Sequence, residues 1–213
     1  IITSMEFFMT GFGNGKKSVK KIIKDAKTNN LKAQIANKAF LLHSQGNILE
    51  AEKYYRYCIE QKINDYRIFS NYGLILKNQG KLSEAELLLK KTIQLNPNWS
   101  EAHNNMGTIQ KDLGKLSEAE LSLKKSIELN PDAANAHSNL GNVLRELKKF
   151  KDAEISLRKA IEIDPNSIIG YANLGNMLKT IGRIKEAKIL LIKTIEINPE
   201  FVRPYYSLSR LKY

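Results

Sequence analysis

Residues 80–87 read GKLSEAEL, and residues 114–121 read GKLSEAEL again. The octet is compositionally varied, so low complexity does not explain its return 34 positions later. An internal repeat does. Aligning the chain on the octet gives a register without insertions: 32–65, 66–99, 100–133, 134–167 and 168–201, with a partial sixth unit at 202–213.

Three positions of the repeat carry small or ring-constrained residues. The eighth is Gly73, Gly107, Gly141 and Gly175, with Ala39 in the first unit. The twentieth is Ala51, Ala85, Ala119, Ala153 and Ala187, and the thirty-second is Pro97, Pro131, Pro165 and Pro199. Glycine inside a helix costs about 1 kcal/mol relative to alanine. Its recurrence therefore predicts two helices crossing closely, with the alanine on the opposite side of the contact. Proline cannot continue a helix, so it closes each unit. The first helix is expected from about position 2 to 14, stopped by Gly46, Gly80, Gly114 or Gly182. The fourth unit has Lys148 at that stop, which predicts a tighter or strained turn. The second helix is expected to open on a capping box, Ser83 with Glu86 and Ser117 with Glu120. Ile59, Ile93, Ile127, Ile161 and Ile195 share one register position and are expected to face the core between units. No stretch alternates like a strand.

These residues resemble the tetratricopeptide repeat family, whose 34-residue unit is a helix–turn–helix. The likeness runs over 32–213, through Gly at position 8 (in the family's Leu-Gly pair at Leu140-Gly141 and Leu174-Gly175), Ala at 20 and Pro at 32. The first unit departs from it, with Lys38-Ala39 for Leu-Gly and Ile63 for Pro. The resemblance implies an all-α solenoid of antiparallel helix pairs, with first helices on a concave side that binds proteins. The Lys- and Asn-rich style is similar to bacterial arrays, which often precede a sulfotransferase, methyltransferase or glycosyltransferase domain.

Composition is consistent with that reading. The 213 residues are 42% hydrophobic and 26% charged, with net charge +12. Cys58 is the single cysteine, so no internal disulfide forms, and a cytoplasmic setting is expected. No apolar run is long enough to cross a membrane as a helix. Residues 1–31 read as a basic flexible tail with a short amphipathic helix over Ser18–Lys27. GFGNGKKSVKK lacks the Lys-Ser/Thr and the preceding strand of a phosphate loop. The chain starts at Ile1, with Met5 and Met9 as candidate starts, and ends in a first helix only, Tyr205, Leu208 and Leu211 being its apolar face.

No catalytic motif, metal site or cofactor is expected. His103 and His137 lie one repeat apart but at a packing position, and Cys58 lies on the core side of a second helix. Glu84, Glu118 and Glu186 fall in the first turn of second helices, where acids complement the helix dipole.

Position 6 is asparagine in every full unit: Asn37, Asn71, Asn105, Asn139 and Asn173. Asn142 and Asn176 occupy position 9, three residues on and therefore on the same helix face. Amides donate and accept, so a ladder of them suits an extended peptide backbone. The plan resembles the asparagine ladder of the O-GlcNAc transferase repeats. The alternative is that the amides satisfy local groups. Position 12 is basic in Lys77, Lys111, Arg145 and Lys179, with His43 in the first unit. This stripe either selects acidic peptides or answers the helix dipole. The expected function is a non-catalytic scaffold for proteins or peptides, acidic ones favoured. The alternative is the recognition module of a longer glycosyl-, sulfo- or methyltransferase. The Ala-20, Pro-32 pattern argues against nucleic acid as the partner.

Overall fold

The computed structural model describes residues 29–199. Residues 1–28 of the basic tail, the Ser18–Lys27 helix and the apolar face of Tyr205, Leu208 and Leu211 lie outside the described residues, whereas residues 29–31 of the expected tail belong to the first helix. Residues 29–199 contain ten α-helices and no strand, in two compact units divided between residues 63 and 64.

In the first unit, α1 (Asn29–Ser44) pairs with α2 (Ile48–Glu60). Ile35, Ala39 and Leu42 of α1 are buried, as are Ala51 and Tyr55 of α2. Tyr55 is the anchor, with its ring 5.9 Å from that of Phe40 and its hydroxyl 3.1 Å from Nδ1 of His43. Burial holds the His43 pKa below its ordinary value, which favours the neutral imidazole.

The second unit repeats one pair four times. The helices are α3 (Tyr66–Asn78) and α4 (Leu82–Leu95), then α5 (Ser100–Asp112) and α6 (Leu116–Leu129). They continue with α7 (Ala134–Glu146) and α8 (Phe150–Ile163), then α9 (Ile168–Thr180) and α10 (Ile184–Ile197). Each second helix packs on its own first helix, and α4, α6 and α8 pack on the next first helix as well. The first helices also touch one another in succession, α3 to α5 to α7 to α9. First helices therefore share one face of this unit and second helices the other.

The close crossing predicted at positions 8 and 20 is present. Ala85, Ala119, Ala153 and Ala187 are fully buried, and so are Leu89, Leu123, Leu157 and Leu191 at position 24. A Cβ placed on Gly141 would lie 2.5 Å from Leu157 Cγ and 3.2 Å from the Ala153 carbonyl oxygen. At Gly107 and Gly141 glycine is thus required by the crossing, against its helix propensity. The isoleucines at position 28 differ from expectation. Ile59, Ile93, Ile127, Ile161 and Ile195 are only partly buried, because position 28 lies at the edge of the interface while position 24 fills it.

First helices stop as predicted. Gly80, Gly114 and Gly182 have φ between 76° and 82°. The next N–H reaches back five residues, Lys81 to Leu76 O, Lys115 to Gln110 O and Arg183 to Leu178 O, the bond pattern of a Schellman stop. Lys148 makes the same stop at φ 60°, with Lys149 N bonded to Leu144 O. A side chain in this left-handed region costs on the order of 1 kcal/mol. Lys148→Gly is therefore expected to stabilise the protein by about 0.5–1 kcal/mol, raising the melting temperature by roughly 2–3 °C. Thermal denaturation checks it, and an unchanged or lower midpoint refutes the strain.

The expected capping boxes are not formed. The N-cap residues of α4 and α6 are Lys81 and Lys115, neither with a side-chain cap bond. Ser83 and Ser117 fall inside the helices, so their partners Glu86 and Glu120 are released for other contacts. Glu84, Glu118 and Glu186 do occupy first turns.

Candidate functional site

The candidate ladder lies on the first helices. Asn37 is exposed on α1, in the first unit. Asn71, Asn105, Asn139 and Asn173 sit at equivalent places on α3, α5, α7 and α9, each half-buried. Two of these amides hold neighbouring helices together. Asn139 Nδ2 donates to Asn104 Oδ1 at 2.9 Å, and Asn173 Nδ2 donates to Ser138 Oγ at 3.0 Å. In both, position 6 of one repeat bonds position 5 of the repeat before it. Local satisfaction is thus part of what the asparagines do, and it leaves the Asn139 and Asn173 carbonyl oxygens as acceptors. Asn105 lacks the equivalent bond, and its Nδ2 is buried without a partner among the described residues. The Asn142 Oδ1, on α7, is likewise buried without one. An orphan donor and an orphan acceptor thus lie on the adjacent helices α5 and α7.

The basic stripe is divided by one acid. Lys77 Nζ donates to Thr108 Oγ1 at 3.1 Å and lies 3.9 Å from Asp112 Oδ2. Lys111 Nζ is 3.2 Å from Asp112 Oδ1. Asp112 thereby neutralises part of the charge at the α3–α5 end. Arg145, half-buried on α7, makes no ion pair among the described residues. Lys179 occupies the same place on α9. Position 12 falls in the last turn of each first helix, so these cations also complement the helix dipole.

His103 and His137 are each engaged by a loop. Their Nε2 atoms donate to the carbonyls of Pro97 at 2.8 Å and Pro131 at 2.9 Å. The imidazoles therefore tie the start of a first helix to the turn preceding it. Cys58 is fully buried.

Sequence reading missed a ladder of charges that joins the repeats. Glu86 on α4 bonds Lys115 of the next repeat at 2.8 Å, Glu120 bonds Lys149 at 2.7 Å, and Glu154 bonds Arg183 at 2.5 Å. Each carboxylate is also paired with the cation four residues on, Lys90, Lys124 or Arg158. Burial pushes the Glu86 and Glu154 carboxyls up, but their flanking cations hold the net value below normal. For Glu120 the Lys124 and Lys149 bonds dominate, and its pKa is also lowered. The recurrence of acid at position 21 and cation at position 16 was the available signal.

No curated protein sequence matches the chain. Tetratricopeptide repeat models match residues 66–98, 134–167 and 156–189, and a TPR repeat model matches 107–148. Among solved structures, MamA 41-end from Desulfovibrio magneticus RS-1 is similar, with TM-score 0.70 and 22% identity over 80% of this chain and 96% of its own. YrrB, described as a TPR protein with an unusual peptide-binding site, has TM-score 0.69 and 19% identity over 90% of this chain and 97% of its own. TTC0263, a thermophilic TPR protein of Thermus thermophilus, gives 0.68 and 17%, over 84% and 97%. At these identities the structures attest the fold. The recurrent Gly-8, Ala-20 and Pro-32 geometry and the four model matches together establish that the chain belongs to the tetratricopeptide repeat family.

Proposed function

We propose that the protein is a non-catalytic scaffold that binds an extended peptide segment along the first helices α3 to α9. The observation that carries the reading is the pair of unpartnered amide atoms, Asn105 Nδ2 and Asn142 Oδ1, on adjacent helices. A peptide unit presents one acceptor and one donor, the complement of that pair once the side chains turn outward. Asn173 and Asn176 extend the same face along α9, and Asn71 extends it along α3. Arg145 and Lys179 sit three residues beyond Asn142 and Asn176, so an acidic side chain or a terminal carboxylate is preferred at that end. Lys77 and Lys111, shared with Asp112, contribute less to that preference.

The test is titration of a partner captured by crosslinking in the native cell. Asn105→Ala with Asn142→Ala removes two hydrogen bonds of about 0.5–1.5 kcal/mol each, so binding is expected to weaken by roughly 5- to 150-fold. The same pair should leave stability nearly unchanged, because neither orphan atom bonds the protein. Asn139→Ala and Asn173→Ala should instead each cost about 1 kcal/mol of stability through the lost lateral bonds. Wild-type affinity in the folded Asn105/Asn142 variant would refute a first-helix binding face.

A further inference from the structure

The second-helix face of residues 64–213 carries a row that the peptide site does not use. Position 22 of each repeat is a large aliphatic residue held in solvent: Leu87 at 45% exposure, Leu121 at 69%, Ile155 at 68% and Ile189 at 68%. Ile192, one turn on, extends it at 47%. Single exposed aliphatics are ordinary, but one position exposed in four successive repeats makes an apolar row that recurs once per repeat.

The line is bordered by two uniform charged rows. Position 19 is acidic in all four repeats: Glu84, Glu118, Asp152 and Glu186. Position 26 is lysine in all four: Lys91, Lys125, Lys159 and Lys193. At about 1.5 Å rise and 3.6 residues per turn, position 19 lies about 4.5 Å before the apolar residue along the helix and position 26 about 6 Å after it. Both are turned to the same side of it. The pattern is antisymmetric about position 22, with acid before and base after. Three of the lysines make surface pairs within their own helices, Lys125 with Glu128, Lys159 with Glu162 and Lys193 with Glu196, and such pairs exchange at little cost.

We infer that this face takes a second copy of the same chain, related by a two-fold axis running along the apolar row. That operation lays Leu121 on Leu121 and Ile155 on Ile155 and sets each acidic row against the partner's lysine row. A two-fold interface must be self-complementary, and a row antisymmetric in charge about an apolar line meets that condition. An axis across the row would oppose acid to acid and is excluded by repulsion. Position 18, next to the acidic row, is Ser83 and Ser117 in the second and third repeats and Lys151 and Lys185 in the fourth and fifth. Rows 18, 19, 22, 25, 26 and 29 hold no aromatic residue of the kind that anchors proteins at a lipid surface.

Sedimentation velocity of the 213-residue chain over about 1–100 µM tests this. A monomer–dimer equilibrium is expected, weakened at least about tenfold by Leu121→Ser with Ile155→Ser at unchanged helicity. Glu118→Lys with Asp152→Lys, and separately Lys125→Glu with Lys159→Glu, should each be monomeric. Mixed one to one, these two variants should form a heterodimer. A monomeric wild type, self-association indifferent to Leu121 and Ile155, or a mixture that fails to associate overturns the inference. So does flotation on phosphatidylserine vesicles that depends on these residues without a dimer.

Discussion

Gly141→Ala is expected to destabilise the protein by about 1–3 kcal/mol, although alanine is the better helix former by about 1 kcal/mol. The new Cβ would meet Leu157 Cγ at 2.5 Å and Cδ2 at 2.7 Å. Leu157 cannot move away, because it is fully buried with Leu174, Met177 and Leu178. Gly107→Ala faces the same obstacle in Leu123, also at 2.5 Å. Gly73→Ala should behave oppositely. Its nearest atom is the Ala85 carbonyl oxygen at 3.5 Å, ordinary contact, so the propensity gain of up to about 1 kcal/mol should appear as stabilisation. A double-mutant cycle isolates the cause. Leu157→Ala alone should cost about 2–5 kcal/mol through the cavity it leaves. In the Gly141→Ala background its cost should fall by about 1 kcal/mol or more, because the obstructing atoms are gone. Urea denaturation of the four proteins measures this. Additive costs, or a destabilised Gly73→Ala, would show that the glycines are not set by helix contact.

Replacing Glu86, Glu120 and Glu154 together by glutamine is expected to cost about 2–3 kcal/mol at neutral pH. Each carboxylate bridges its own helix to the next repeat, and a charge-assisted bond is worth roughly 1 kcal/mol once the exposure of the lysines and arginines is allowed for. The effect should depend on pH in one direction. All three carboxyls have folded pKa values lowered from 4.5, so the unfolded chain binds more protons in the acid range. Their contribution is fully present above pH 4.5 and is lost as the pH falls through the folded values. The stability curves of wild type and triple variant should therefore converge on acidification. Parallel curves from pH 7 to about 3 would show that the bridges contribute nothing specific. Repeat arrays are stabilised by nearest-neighbour interfaces, so the triple variant should also broaden the denaturation transition.

Both outcomes bear on how far the chain can be read without coordinates. The glycine, alanine and proline positions were legible because each answers a constraint that composition cannot hide. A crossing excludes a Cβ, a buried contact excludes bulk, and a helix end accommodates a ring. Lys148 was legible as a strained stop for the same reason. The asparagine ladder was legible as a row on one face, but not in its division of labour. Asn139 and Asn173 bond the preceding helix, while Asn105 Nδ2 and Asn142 Oδ1 have no partner. The misread capping boxes show the limit most clearly. Ser-x-x-Glu is a local pattern, and locally Glu86 and Glu120 were reasonable caps. The helices begin earlier, and the glutamates turn instead to Lys115 and Lys149, 29 residues away in the chain.

The sequence by itself determined the repeat period, the two helices of each unit, their turns and the residues at their crossing. Each of those follows from short-range sterics and from a spacing that recurs along the chain. Tertiary structure alone decided which charged and amide side chains join adjacent repeats and which stay available. It also decided that position 22 faces solvent while position 24 fills the core. That choice depends on how one helix pair is rotated against the next, and the rotation is set by packing summed over the whole interface rather than by any single residue.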